Sequence, residues 1–263
     1  MRRRAFAPAL LLVALGGCSQ YANVTGVTPE NPLTADLVNY RNGLQLLREG
    51  RVDEAIQLLR RSQESYPYDP NVRNALGLAL LYKKEYPLAL KSFDEALRLD
   101  PTLAEVMTNR GVTLLEMGRL DEADTQFQKI LDGPPSKEKL NAHFNLGMVR
   151  IKQERPAEAE AQFSLVIAED PKYSRAYRER GLVRAGREDF RGGLEDLLRF
   201  LQDEPKEPKA NYQAALCLLT TGRRDLAARY MERVIAAAPD SEEAGKARRF
   251  LAGESTGDPR RTP

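Results

Sequence analysis

Apolar residues along this chain fall at helical spacing in segments that short polar or proline-containing breaks separate. Between Ala75 and Tyr82 the residues are nearly all apolar, and from Leu88 to Leu99 the apolar residues fall on one stripe of a helix. The polar stretch from Lys83 to Glu85 reads as a turn, and Asp100-Pro101 ends the second segment because proline disfavours helix in the residue before it. Residues 70–103 are therefore predicted to form two helices joined by a turn.

Three series of small or proline residues show that this helix pair is repeated. The prolines are spaced 34, 34, 36, 34 and 34 residues apart: Pro67, Pro101, Pro135, Pro171, Pro205 and Pro239. Two further series run in the same phase: Gly43, Gly77, Gly111, Gly147, Gly181 and Ala215, and Ala55, Ala89, Ala123, Ala159, Gly193 and Ala227. The small positions mark close approaches between helices. Such an array offers a long surface to another protein and encloses no pocket for chemistry.

The pattern resembles the tetratricopeptide repeat (TPR), with larger residues such as Leu76, Leu80 and Phe93 filling the space between the small positions. The resemblance implies an all-α fold, a right-handed superhelical α-solenoid of six helix-turn-helix units with a C-terminal capping helix. The six units span residues 36–69, 70–103, 104–137, 140–173, 174–207 and 208–241. The capping helix is predicted at 242–252, and residues 253–263 are predicted to be a disordered tail.

Two extra residues interrupt the register between the third and fourth units, near Asp132 to Glu138. One interpretation is a longer surface loop, which costs little free energy. The other is a marker of one particular family.

The N-terminal residues resemble a bacterial lipoprotein signal. Arg2 to Arg4 form a basic start, Ala5 to Leu15 form an apolar run too short for a permanent anchor, and Leu15-Gly16-Gly17-Cys18 follows. The resemblance implies a signal peptide at 1–17, a Cys18 lipidated with acyl chains such as palmitate, and a tether at 18–35. Ser19 in place of Asp favours the outer membrane, on the face towards the periplasm. Both the general and the twin-arginine export routes remain open.

Neither the composition nor the motifs of the chain indicate a catalytic, metal-binding or nucleic-acid-binding site. The 40 basic and 38 acidic residues leave a net charge of +2, and no dense basic stripe suggests nucleic acid. His143 is the only histidine, Cys217 is the only cysteine besides Cys18, and no nucleotide-binding or hydrolase motif occurs. We expect a non-enzymatic protein without cofactor, metal or small-molecule substrate.

In TPR arrays the first helix of each unit lines the concave face. The positions one turn before the glycine, just after it and one turn further on give a candidate protein-binding groove: Tyr40, Leu44, Leu47, Asn74, Leu78, Leu81, Val112, Leu115, Phe144, Met148 and Ile151. One interpretation is an apolar groove for an amphipathic helix or an extended apolar segment. The other is that some of these side chains pack within the array.

The chain combines the lipoprotein signal, the six repeats, and the segment from Leu131 to Pro135 leading to Asn145-Leu146-Gly147. Through these features it resembles the pilotin-type lipoproteins of type IV pilus biogenesis, the PilF/PilW/Tgl family. Membership implies a protein-binding lipoprotein that assists assembly or outer-membrane targeting of the pilus secretin, whose subunit would be its partner. The alternative is a TPR scaffold that docks cell-wall hydrolases, proteases or another envelope complex.

Overall fold

The structure, a computed structural model, describes residues 32–253, with side chains from Val38 onward. The predicted signal peptide at 1–17, Cys18, most of the tether, and the tail from Glu254 lie outside the described residues. Every regular element in the described part is an α-helix: α1 (Pro32–Arg48), α2 (Val52–Ser65), α3 (Pro70–Tyr82), α4 (Tyr86–Leu99), α5 (Ala104–Glu116), α6 (Leu120–Asp132), α7 (Glu138–Lys152), α8 (Pro156–Glu169), α9 (Ser174–Gly186), α10 (Phe190–Asp203), α11 (Pro208–Thr220), α12 (Arg224–Ala237) and α13 (Glu242–Leu251).

The chain divides into two compact units, each made of several repeats. Unit 1 ends at Val149 and unit 2 begins at Arg150, so the boundary falls inside α7. In unit 1, α1 packs on α2, α3 on α4 and α5 on α6, and the pairs are joined by contacts of α2 with α3 and of α4 with α5. In unit 2, α9 packs on α10 and α11 on α12, and α13 covers α12. The prediction of an all-α fold built from consecutive helix pairs is confirmed.

Glycines let the two helices of a pair approach each other closely. A Cβ atom added to Gly77 would lie 2.6 Å from Cε1 of the Phe93 ring, and one added to Gly111 would lie 2.6 Å from the same atom of Phe127. Both phenylalanines are fully buried. The large residue of the second helix therefore fills the space that glycine leaves free, as the repeat pattern predicts.

Each helix pair turns through one residue with a left-handed backbone. Glycine stands at three of these turns, where φ is 76° at Gly50, 73° at Gly118 and 77° at Gly222. The other three turns use larger residues, with φ of 64°, 58° and 67° at Lys84, Glu154 and Glu188 respectively. The turn geometry is thus common to all six pairs, although the residue type is not.

The two inserted residues lengthen α7. This helix begins at Glu138, nine positions before Gly147, whereas α5 begins at Ala104, seven positions before Gly111. The loop before α7, residues 133–137, is also one residue longer than the loop between α4 and α5, residues 100–103, so the loop and the helix are both lengthened. The first turn of α7 is tied to the end of α6, because the Lys139 ammonium donates a hydrogen bond of 2.7 Å to the carbonyl oxygen of Leu131.

The fifth repeat replaces apolar packing by ion pairs. Arg180 donates two hydrogen bonds of 2.8 Å to the buried carboxylate of Asp196. Arg184 contacts the same carboxylate at 2.9 Å and Glu160 of α8 at 2.8 Å. These charged groups join α8, α9 and α10 of unit 2 at positions where the second repeat has Leu76 and Leu80.

Candidate protein-binding surface

The side chains of the predicted groove are mostly part of the core. Leu78, Val112 and Leu115 are 2 %, 1 % and 0 % exposed, which leaves a partner almost no surface to contact. Five further members are also buried: Tyr40, Leu47, Asn74, Leu81 and Phe144. Three are half-buried: Leu44, Met148 and Ile151. The burial agrees with the second interpretation, packing within the array, for eight of the eleven residues.

These buried side chains are part of the interior of unit 1. Leu78, Val112 and Leu115 belong to one continuous apolar cluster, and Leu44 and Met148 pack at its margin. A partner that approaches the first helices of unit 1 would therefore meet Leu44 and Met148 before the other predicted apolar residues.

A row of polar side chains connects the first helices of unit 1. Asn109 on α5 donates a hydrogen bond of 3.0 Å to Asn74 on α3, and Asn74 donates one of 3.1 Å to Glu105. These amides are buried, so their hydrogen bonds offset the cost of removing them from water. The bonds also set how α3 and α5 align.

The insertion extends this row to α7. Asn141 donates a hydrogen bond of 2.9 Å to a carboxylate oxygen of Glu138. The hydroxyl of Thr108 lies 3.3 Å from the same oxygen and is shared with the carbonyl oxygen of Ala104 at 2.9 Å. Glu138 is only 4 % exposed. Sequence reasoning included Asn74 only as a groove residue, and the signal that could have revealed the row is the run of Asn and Thr beside the apolar positions.

Asn145 is the exception within this part of unit 1. Its side chain is fully buried, and neither its amide nitrogen nor its amide oxygen has a hydrogen-bond partner among the described residues. Buried amides are normally paired, so this side chain carries an unfavourable contribution to the stability of the free protein.

The first helices of unit 2 also leave apolar side chains partly accessible. Leu182 on α9 and Tyr212, Leu216 and Leu219 on α11 are half-buried. Residues of α13 lie near Tyr212, since Lys246 and Glu243 both influence its hydroxyl; burial is the main cause of its raised pKa.

Unit 2 also contains a group of charged side chains on α9. Arg178 donates a hydrogen bond of 2.6 Å to Glu179, and its guanidinium is 3.7 Å from Glu207 and 6.0 Å from the centre of the Phe200 ring. Burial raises the pKa of Glu179, although Arg178 and Lys209 act in the opposite direction. The carboxylate is therefore held in an environment that favours its neutral form.

Cys217 and His143 carry the one thiol and the one imidazole among the described residues. Cys217 is buried in α11, and burial raises the pKa of its thiol to about 11, so it is unreactive at neutral pH. His143 is half-buried on α7 of unit 1. Among residues 38–253, no group of three or more metal-ligating side chains comes together, and no helix of this region is long and apolar enough to span a membrane.

Comparison with known proteins identifies the repeat. A family model described as tetratricopeptide repeat matches residues 40–104 and 178–242, and a second model with the same description matches residues 92–125. Together these matches cover more than half of the chain. The chain belongs to the tetratricopeptide-repeat family. As a TPR protein it is a protein-binding scaffold and not an enzyme.

Among TPR proteins, the chain is similar to a type IV pilus assembly protein. PilF of Pseudomonas aeruginosa is 29 % identical over 164 residues, which are 59 % of this chain and 62 % of PilF. Anaphase-promoting complex subunit 3 of Schizosaccharomyces pombe is 26 % identical over 177 residues, which are 67 % of this chain and 26 % of that protein. The chain thus spans less than two thirds of the length of these relatives.

Solved structures share the TPR fold. A structure of Pseudomonas aeruginosa PilF has a TM-score of 0.73 at 22 % identity, and the match covers 83 % of this chain and 97 % of that one. PilW, described as a widely conserved type IV pilus biogenesis factor, has a TM-score of 0.73 at 20 % identity, with 81 % and 97 % covered. The chain therefore resembles PilF in sequence and both PilF and PilW in fold.

Proposed function

We propose that this TPR protein is an outer-membrane lipoprotein that assists assembly or outer-membrane targeting of a type IV pilus secretin. The observation that carries the proposal is the similarity to PilF and PilW, whose structures match over 97 % of their own chains. The predicted lipoprotein signal ending at Cys18 supports the location. The six predicted repeats from residue 36 to residue 241 supply the binding scaffold.

The partner in this proposal is a segment of the secretin subunit that lies along the first helices. The accessible part of the predicted groove in unit 1 consists of the half-buried Leu44 and Met148, and the first helices α5 and α7 also carry the half-buried polar residues Glu105 and Asn141. A segment with a narrow apolar stripe and flanking polar groups fits this surface better than a broad apolar helix would.

Lipidation of Cys18 would hold the scaffold at the membrane. One acyl chain gives only marginal membrane binding, so stable anchoring requires more than one chain. A protein with Cys18→Ala should incorporate no labelled palmitate and should leave the outer-membrane fraction. Unchanged fractionation of that variant would mean that something other than the lipid determines its location.

Deletion of the gene tests the proposed role. Secretins form multimers that resist heat and detergent, and the deletion strain should lose these multimers while its cell shape stays normal. Normal multimers together with altered cell-wall fragments would instead favour the alternative, a scaffold for cell-wall hydrolases or proteases. Complementation with the full-length chain is the control.

A further inference from the structure

One end of the first helix pair exposes aromatic, apolar and cationic side chains together. Tyr68, in the loop between α2 and α3, is 81 % exposed, and Val38 near the start of α1 is 38 % exposed. Arg41 on α1 and Arg60 and Arg61 on α2 are also exposed. None of these three arginines has an acidic partner in the described part of the chain.

The packing of the pair places the three arginines at one level. A Cβ atom on Gly43 would lie 2.8 Å from Cγ of Leu59, so these two residues are opposite each other. Because the two helices run in opposite directions, Arg41 precedes this crossing and Arg60 and Arg61 follow it on the same side. With a rise of about 1.5 Å per residue, the Cα atoms of the three arginines lie at nearly the same height along the axes of the pair, within one helical turn.

Acidic residues are concentrated at the opposite end of the pair, near the turn. Glu49 and Glu54 both pair with Arg51, and Asp53 lies 3.0 Å from Lys83. Among the side chains described at the end that carries the three arginines, Glu64 is the one exposed carboxylate of α2. The end of the pair at which α1 begins is therefore cationic. At the other end, near the turn, acidic and basic side chains pair with each other.

We propose that this cationic end, formed by Val38, Arg41, Arg60, Arg61 and Tyr68, lies against an anionic bilayer surface. The arginines would contact lipid phosphates, and the exposed aromatic ring would sit at the level of the headgroups. The inference rests on the proposed lipid anchor at Cys18, which brings the membrane within reach. Residues 19–31 span at most about 45 Å when fully extended, so the tether allows this contact without requiring it.

Fluorescence can test the contact because the chain contains no tryptophan. Tyr68→Trp introduces a single reporter at the proposed contact. The acylated protein is reconstituted in vesicles of phosphatidylethanolamine and phosphatidylglycerol, and separately in vesicles of phosphatidylcholine alone. Since the acyl chains hold the protein to both, only surface contact distinguishes them. We expect a blue-shifted emission with the anionic vesicles, reversed by about 0.5 M NaCl because salt screens the attraction.

Matched variants show whether the arginines cause the effect. In the Y68W chain, the triple change Arg41→Gln, Arg60→Gln and Arg61→Gln should lower the ratio of docked to undocked protein about 100-fold. The control triple, Arg191→Gln, Lys206→Gln and Arg229→Gln, removes as many exposed cations from unit 2 and should leave the shift intact. A second control reporter, Leu165→Trp, lies at a half-exposed position of unit 2 and should show no shift.

The outcomes separate this inference from the proposed function. Identical emission of the Y68W chain in both vesicle types would overturn the inference even if Cys18 is acylated and the secretin depends on the protein. Mass spectrometry of the Cys18 peptide checks the anchor independently. If no acyl group is found, the same Y68W protein is mixed with preformed vesicles, and a shift with anionic lipid alone still supports the surface, whereas no shift overturns it.

Discussion

At the scale of single residues, the glycines of unit 1 determine how closely paired helices can approach. Gly77→Ala would place a methyl group 2.6 Å from the Phe93 ring, which is fully buried and has no room to move away. We expect this substitution to lower the free energy of unfolding by about 1–3 kcal/mol, the usual cost of overpacking. Chemical unfolding followed by circular dichroism measures the effect.

Gly245→Ala is the matched control, because the added methyl group would contact no other residue. Gly245 lies inside α13, and an added Cβ would find no atom within 4 Å. Alanine favours helix over glycine, so stability should rise by about 0.5–1 kcal/mol. Equal effects of the two substitutions would show that helix propensity and not contact with Phe93 governs the first site.

Glu179 is a residue whose protonation should change stability. Its pKa is raised chiefly by burial, above the value that it has in the unfolded chain. The folded protein therefore binds this proton more tightly, so the ionised carboxylate destabilises the fold at neutral pH, and the loss disappears as the pH falls through the folded pKa. Glu179→Gln should accordingly raise the melting temperature at pH 7 to 8, with a smaller difference near pH 4.

The matched control for Glu179 is Glu195→Gln on the exposed face of α10. Removing its charge should change the melting temperature little at either pH. If Glu179→Gln instead lowers the melting temperature equally across this pH range, the ion pair with Arg178 outweighs the cost of burying the carboxylate.

At the scale of the helix pair, the left-handed turn residue is a shared requirement. Gly118→Ala forces a side chain into a backbone region with φ of 73°, and we expect a loss of about 1 kcal/mol in the free energy of unfolding. Lys84→Gly makes the opposite change at the equivalent turn, where φ is 64°. It should be neutral or stabilising, since the removed strain is offset by the greater freedom of glycine in the unfolded chain. Thermal unfolding of both variants checks this, and a loss at Lys84 would mean that its side chain stabilises the turn.

Much of this pair architecture could be predicted from the spacing of small residues. The contact between Gly77 and Phe93 follows from the repeat, because both positions recur in the same phase. The left-handed conformation of the turn residue could not be predicted from a recurring residue type, because Lys84 and Gly118 share the conformation but are different residues. Helix propensity alone would disfavour glycine at position 193, but the packing requires it. A Cβ atom there would lie 2.9 Å from the backbone nitrogen of Ala185 and 2.9 Å from the carbonyl oxygen of Gly181.

Burial was harder to predict than helix position. Leu78 and Val112 occupy positions predicted to line the groove, yet here they pack into the core of unit 1. The polar contacts between Asn74, Asn109 and Glu105 likewise depend on how adjacent repeats align, which no pattern within one repeat records. Sequence periodicity defines a helix face, whereas the distance between neighbouring helices decides what on that face stays accessible.

At the scale of the whole molecule, the two units use the same repeat with different interiors. Unit 1 has one long apolar cluster with a row of amides, whereas the fifth repeat in unit 2 is joined through Arg180, Arg184 and Asp196. Breaking a buried ion pair leaves an uncompensated charge, so changes in this group should affect stability before binding. Tests of partner binding therefore belong on residues that are accessible and contribute little to either interior.

Leu44 is the residue of the predicted groove on α1 that stays partly accessible, and it tests the proposed binding surface. It is half-buried on the first helix α1, at the margin of the apolar cluster. Leu44→Glu should weaken capture of the partner by crosslinking in intact cells about tenfold, because a charge would replace an apolar contact of roughly 1–2 kcal/mol. The helix content and melting temperature should change little.

Leu88→Glu is the matched control, since it places the same charge on the second helix α4, where Leu88 is 46 % exposed. Partner capture should remain at the wild-type level in this variant. Equal loss in both variants would point to a general effect of added charge, and loss with Leu88→Glu alone would place the partner on the second helices. Only a selective loss with Leu44→Glu assigns the partner to the first-helix face.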